Sequence, residues 1–250
     1  SRDAAECGEL AAAAIGARID ELGAGNVAAV MLEPNAGSNG IVAPDSYWPA
    51  VRRHTRERGV PLIADEVMSG FGRCGEWFAW QRHEPESAPD VITLAKGLTG
   101  AALPLGAVVL NAAIARRLDD VVLGTGLTYC GHPLCCAAAV AAIDAYRADG
   151  LIERSRTLGG RMYQRLQALA QKHRVIGDVR GGHGLFAVLE LVADRSTREP
   201  LAPWPQVPPA LQALLQEGQA RGVSFGSRGN LVLLAPPLVI GEAELDDALD

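Results

Sequence analysis

Three short apolar runs stop abruptly at charged residues, and that pattern constrains the fold more than any other feature of the chain. Val27-Ala28-Ala29-Val30-Met31-Leu32 ends at Glu33-Pro34, Val60-Pro61-Leu62-Ile63-Ala64 at Asp65-Glu66, and Val91-Ile92-Thr93-Leu94-Ala95 at Lys96. Runs that are apolar nearly throughout and bounded by turn residues predict strands covered on both faces, as in a parallel sheet. Between the first two, Pro44-Asp45 opens a helix with Trp48, Val51 and Thr55 on one side, closed by Gly59. Strand, helix, strand in that order is a βαβ unit, and residues 105–110 repeat the apolar pattern. Ligands of parallel sheets bind beyond the carboxyl ends of the strands. Connectivity alone therefore gathers Glu33, Asp65, Glu66 and Lys96 at the ligand edge.

Residues 2–22 read as an Ala-rich helix ended by Gly23 and Gly25, and 133–146 and 151–173 are also helical. The last of these is long enough to bridge two domains. Past Gly177 the texture changes: 185–191 is a strand, 197–209 is proline-rich, 209–221 is a helix and 231–234 a final strand. The expected architecture is α/β. A large domain over residues 1–174, with a mostly parallel sheet and helices on both faces, includes the bridging helix; a small α+β domain covers 175–250. The chain begins at Ser1 and stops at Asp247-Ala248-Leu249-Asp250 in mid-pattern, as a piece of a longer protein would.

A net charge of −6 and an aromatic content of 5% argue against a nucleic-acid surface. Cys7, Cys74, Cys130, Cys135 and Cys136 form no C-x-x-C pair, which argues against a disulfide framework or a zinc site and for a reducing compartment. Residues 97–115 and 121–143 carry no Asp, Glu, Lys or Arg, but glycines with Pro104 and Pro133 break them up too often for a membrane-crossing helix. Such charge-free, Gly-rich stretches more often line a buried crevice. With no basic segment leading into an apolar core at the start, the expected location is the cytoplasm.

Taken singly, the edge residues are ambiguous. Asp65 fits a helix cap or a structural ion pair as well as a site carboxylate, and Lys96 fits a surface lysine lying along apolar surface. A buried Asp and a buried Lys at one edge are costly unless each has a partner.

Together they form a longer pattern. Leu62-Ile63-Ala64-Asp65-Glu66-Val67-Met68-Ser69-Gly70-Phe71-Gly72-Arg73-Cys74-Gly75, the interval 76–89, and Asp90-Val91-Ile92-Thr93-Leu94-Ala95-Lys96-Gly97-Leu98-Thr99-Gly100 resemble the pyridoxal-phosphate attachment signature of class III aminotransferases. Glu33-Pro34-Asn35-Ala36-Gly37-Ser38-Asn39-Gly40, Leu127-Thr128-Tyr129-Cys130-Gly131-His132-Pro133 and Ala235-Pro236-Pro237-Leu238 resemble further family segments in family order, so the resemblance covers essentially the whole chain.

The resemblance implies a fold-type I, pyridoxal 5'-phosphate-dependent aminotransferase of the ω-amino acid:pyruvate kind. Such an enzyme moves an amino group from an ω-amino acid or amine to an α-keto acid such as pyruvate in two half-reactions, and it works as a homodimer. Residues 33–40 look closer to that subgroup than to ornithine or GABA aminotransferases. An aminomutase or decarboxylating relative on the same fold, or an inactive remnant, are the alternatives. Lys96 is implied as the Schiff-base amine that also moves the substrate proton, and Asp65 as the anion that keeps the ring nitrogen charged. Val67 is implied on the ring face, and Thr128 at the phosphate of the neighbouring subunit's cofactor unless it is a plain turn residue. Glu66 and Glu33 either hydrogen-bond near the ring substituents or brace loops. Arg73 reads as structural and His132 as a helix cap.

Two departures stand out. Relatives carry a phosphate cup and a stacking aromatic before the position of Arg2, and neither is found here, so weak cofactor binding is expected of the isolated chain. Many relatives also place a substrate-binding arginine where this chain has Gly226. Arg228, two residues on and with the same strand facing, is the candidate substitute for binding the substrate's acidic group.

Overall fold

Small residues set the first packing event. In the computed structural model, which describes residues 3–250, Gly8, Ala12 and Gly16 line one side of helix α1 (Ala4–Leu22). A Cβ at Gly8 would fall 2.2 Å from the Ser46 hydroxyl, and one at Gly16 2.9 Å from the His54 ring, so α2 (Tyr47–Glu57) lies directly against this stripe. Trp48, Ala50 and Val51 of α2 pack with Ala12, Leu62 and Ala64 into one core.

The sheet beneath has the order β1 (Val30–Leu32), β2 (Leu62–Asp65), β3 (Val91–Leu94), β4 (Ala107–Leu110). The first three strands run parallel, with Leu32 opposite Ala64 and Asp65 opposite Thr93. β4 runs antiparallel to β3 and places Val108 opposite Thr93. Residues 105–110 repeat the apolar pattern of the other strands but not their direction. A parallel return needs a crossover, usually a helix; here the connection is the 3-10 turn Lys96–Thr99 followed by irregular chain. Period-two alternation then puts Met31, Ile63, Asp65, Thr93 and Val108 on one face and Val30, Leu62, Ala64 and Ile92 on the face that α1 and α2 cover. Met31 and Val108 are exposed.

Asp90 fastens the amino end of this sheet. Its carboxylate accepts Arg52 Nη1 and Nη2 at 2.6 and 3.0 Å, the Leu62 amide at 2.9 Å and Asn111 Nδ2 at 2.8 Å. Burial alone would raise this carboxyl, but the Arg52 and Leu62 hydrogen bonds outweigh it and hold Asp90 below its ordinary value. Short α3 (Ala112–Arg116) is capped by Asn111 Oδ1, which accepts from the Ile114 amide, and α4 (Pro133–Ala148) follows an exposed stretch.

The contacts divide the described chain into two units, the second made of residues 37–42, 72–77 and 150–250. It holds α5 (Leu151–Lys172), β5 (Ile176–Gly181), β6 (Ala187–Asp194), α6 (Pro209–Ala220), β7 (Gly226–Arg228), β8 (Leu231–Leu234) and α7 (Glu242–Leu249). Its sheet is antiparallel in the order β7-β8-β6-β5. The sequence boundary at 174/175 differs from the observed division at 149/150. The cause is α5, whose Leu158, Met162 and Leu166 are buried in one cluster with Leu185, Val232 and Leu245. The closing residues of the chain belong to α7, which Arg161 and Arg165 tie to α5 through Asp246. Among the described residues no helix is long and apolar enough to cross a membrane.

Candidate active site

Strand register brings Asp65 and Lys96 to one edge. Asp65 is the last residue of β2 and stands beside Thr93 of β3, and Lys96 comes two residues after β3 ends. The Asp65 carboxylate is fixed through Oδ1, which accepts the Val67 amide at 3.0 Å. Among the described residues the other carboxylate oxygen has no hydrogen-bond partner. Neither edge group is buried as the sequence reading supposed: Asp65 is half-buried and Lys96 exposed. Beside Lys96 lies a recess of about 500 Å³, lined by Ala95, Lys96, Ala101, Ala102, Leu103, Pro104 and Leu105. Lys96 therefore faces an open recess and not the protein interior.

Lys96 has a φ of 42°, a left-handed conformation that side-chain-bearing residues avoid. Its surroundings determine it. The Lys96 carbonyl accepts the Ala101 amide at 2.9 Å, and the Gly97 carbonyl accepts the Tyr146 hydroxyl at 2.8 Å. Tyr146 of α4 also stacks on Phe71, ring centroids 6.0 Å apart, while Phe71 presses on Gly97 so closely that a Cβ there would lie 2.8 Å away. Gly97 is thus required by contact, and its hydrogen bond from Tyr146 and its packing on Phe71 brace the turn that carries Lys96. The sequence pattern includes Phe71 without assigning it a role and does not include Tyr146. No short motif carried a signal for Tyr146, whose partner is a backbone carbonyl far along the chain.

Glu66 resolves into the loop-bracing alternative. It is fully buried; Oε2 accepts the Ser69 hydroxyl and the Ala79 amide, and Oε1 accepts the Trp80 amide at 3.0 Å. Its oxygens accept donors of the segment just after the strand, which favours the loop-bracing alternative. Burial raises the Glu66 carboxyl above its ordinary 4.5, against the pull of the Ser69, Trp80 and Ala79 donors. The folded chain therefore holds this proton more tightly than the unfolded chain, so the group's contribution to stability is full below about pH 4.5 and declines as pH rises through the raised value. Glu66→Gln cannot ionise. Its urea midpoint, measured from about pH 4 to about pH 8, should fall less or rise more than that of the wild type. An identical pH course in the two proteins contradicts this account.

Other sequence-derived residues fall elsewhere. Thr128 lies in an exposed turn, and Glu33 is exposed at the end of β1. His132 precedes α4 but makes no side-chain cap, and its Nδ1 is buried without a hydrogen-bond partner. In the second unit, Arg73 Nη1 donates to the Leu185 and Pro236 carbonyls, both at 2.7 Å, which fits its structural reading. Arg228, on β7, lies over the Trp204 ring, 5.2 Å from its centroid, and is exposed.

A carboxylate and a primary amine at the carboxyl ends of neighbouring parallel strands define an α/β chain whose ligand edge is equipped for amine chemistry. The chain belongs to the class-III aminotransferases, whose family model matches residues 3–250. It is 37% identical to putrescine–pyruvate aminotransferase of Pseudomonas aeruginosa over 98% of its own length and 52% of that protein. It is 41% identical to 4-aminobutyrate aminotransferase of Mycobacterium tuberculosis over 97% of its length and 53% of that protein. Among solved structures it is similar to taurine:2-oxoglutarate aminotransferase of Bifidobacterium kashiwanohense, in complex with PLP and glutamate, with a TM-score of 0.92 and 34% identity over 99% of this chain and 55% of that one. The chain spans about half the length of the curated relatives it matches. Identity to the 4-aminobutyrate enzyme is as high as to the putrescine enzyme, so overall similarity does not separate the subgroups that residues 33–40 were read to distinguish.

Proposed function

We propose that the whole protein is a pyridoxal-phosphate-dependent transaminase that moves an amino group from an ω-amino acid or amine to an α-keto acid such as pyruvate. The observation that carries this reading is the register of β2 with β3, which places an anion and an amine at one carboxyl edge. The residues present fit the cofactor: one carboxylate oxygen fixed and one open, an amine on a braced turn, and a mostly apolar recess beside it. When bound, pyridoxal phosphate supplies an electron sink for the substrate Cα–H bond.

In this reading Asp65 keeps the ring nitrogen protonated, because an adjacent carboxylate favours the charged form. The Val67 amide prevents the carboxylate from turning away, and the Val67 side chain packs on the ring. Lys96 supplies the amine that tethers the cofactor. The same amine would move the proton at the substrate Cα, as base and then as acid. Tyr146 and Phe71 hold the turn so that this amine returns to one place. Glu66 acts at a distance, by fixing the loop through Ala79 and Trp80. Thr128 serves the cofactor phosphate of a second copy, which makes the homodimer the working unit, and Arg228 is the candidate for the substrate's acidic group. A cytoplasmic location belongs to the same reading.

The test supplies the whole protein with pyridoxal phosphate, an aliphatic diamine or ω-amino acid, and pyruvate. Alanine should form, and only when the keto acid is present. Conversion of the amine without any keto acid would point to a mutase or decarboxylase and contradict the proposal.

A further inference from the structure

The hydroxyl of Thr93 is sealed from solvent and has no hydrogen-bond partner. A buried, unpaired hydroxyl costs about 1–3 kcal/mol, and a valine of the same shape would avoid that cost. Its position makes the cost intelligible. Thr93 stands in register between Asp65 on β2 and Val108 on β4, on the same sheet face as Asp65 and three residues before Lys96. Its own carbonyl already accepts the Glu66 amide at 3.0 Å, so the backbone at this point is spent. The Asp65 carboxylate one strand away accepts the Val67 amide through Oδ1, and a carboxylate offers about four lone-pair sites. An unspent donor and an underused acceptor lie side by side on strands roughly 4.8 Å apart.

We propose that Thr93 is a positioning residue for Asp65, its hydroxyl donating to that carboxylate when the cofactor occupies the edge. Resting on the reading that pyridoxal phosphate binds there, the inference adds a residue that the attachment pattern does not single out. From their places in register, rotation about either side chain's χ1 would bring the hydroxyl to the carboxylate. The resulting charge-assisted bond would fix the carboxylate that holds the cofactor. Binding of the cofactor would thereby give the Thr93 hydroxyl its partner.

The two states respond in opposite directions to Thr93→Val, which keeps the shape and removes the hydroxyl. In the whole protein freed of cofactor, the variant should melt at the wild-type temperature or above it. Its dissociation constant for pyridoxal phosphate, read from the absorbance of the bound cofactor, should weaken about tenfold, the equivalent of about 1.4 kcal/mol. Thr93→Ser, which restores the donor, should bind within about twofold of the wild type by the same conversion. The inference is overturned if Thr93→Val binds the cofactor as the wild type does, if it melts markedly lower without cofactor, or if Thr93→Ser binds as weakly as Thr93→Val. A wild-type protein that fails to bind pyridoxal phosphate at all overturns this inference and the transaminase reading together, whereas normal wild-type binding with an unaffected valine variant overturns this inference alone.

Discussion

Lys96→Ala in the whole protein should abolish the covalently bound cofactor and lower transaminase turnover by at least about 10³-fold, since the variant loses both the tether and a proton-transfer group. The substitution is structurally mild. Lys96 is exposed, and the contacts that hold its turn come from its own carbonyl and from Gly97. The variant should accordingly keep the wild-type unfolding midpoint, with a small change of either sign from placing alanine at a positive φ. The chain has two lysines, Lys96 and Lys172, and Lys172 ends α5 in the second unit. Peptide mapping after reductive trapping separates them: a label on the peptide containing Lys96 agrees with the account, and a label elsewhere, or a cofactor band that survives Lys96→Ala, contradicts it.

Asp65→Asn is expected to separate attachment from activation. Asparagine keeps a carbonyl oxygen for the Val67 amide, so the local hydrogen bond at 3.0 Å has a counterpart in the variant. What it loses is the negative charge beside the ring nitrogen. Turnover should fall about 10²–10³-fold, the usual cost of removing one preorganised electrostatic partner, while the cofactor remains attached to the lysine. Single-turnover measurements locate the effect: removal of the substrate Cα proton should become the slow step. Near wild-type turnover would show that Asp65 is a structural residue that merely ends a strand.

The carboxyl-edge pattern was legible in the sequence because a parallel sheet announces itself twice, once in the apolar run and once in the polar residue that stops it. Val27 to Leu32, Val60 to Ala64 and Val91 to Ala95 all became strands, each shortened at one or both ends. Strand direction was not legible for residues 105–110, since side-chain pattern carries burial and not polarity; the missing crossover decided it. The affiliation of α5 was hidden for a similar reason. An amphipathic helix declares that it buries a face, and only tertiary packing shows that Leu158, Met162 and Leu166 bury it against the second sheet.

The site was legible by residue type and less so by environment. Spacing and the family resemblance pointed to Asp65, Val67 and Lys96 as candidates, but the reading of buried charges fits Glu66, whose carboxylate accepts the Ser69 hydroxyl and amides thirteen and fourteen residues on. Tyr146 and Thr93 escaped for opposite reasons. The one bonds a distant backbone carbonyl, and the other has a hydroxyl whose significance lies in having no partner. Sequence spacing records neither.

A crystal structure of the whole protein grown with pyridoxal phosphate would weigh the central proposition in one measurement. The account predicts unbroken density from Lys96 Nζ into the cofactor, with an Asp65 carboxylate oxygen about 2.7–3.2 Å from the ring nitrogen, the span of an ordinary hydrogen bond. A cofactor bonded to another amine, or a ring nitrogen facing away from Asp65, would contradict it.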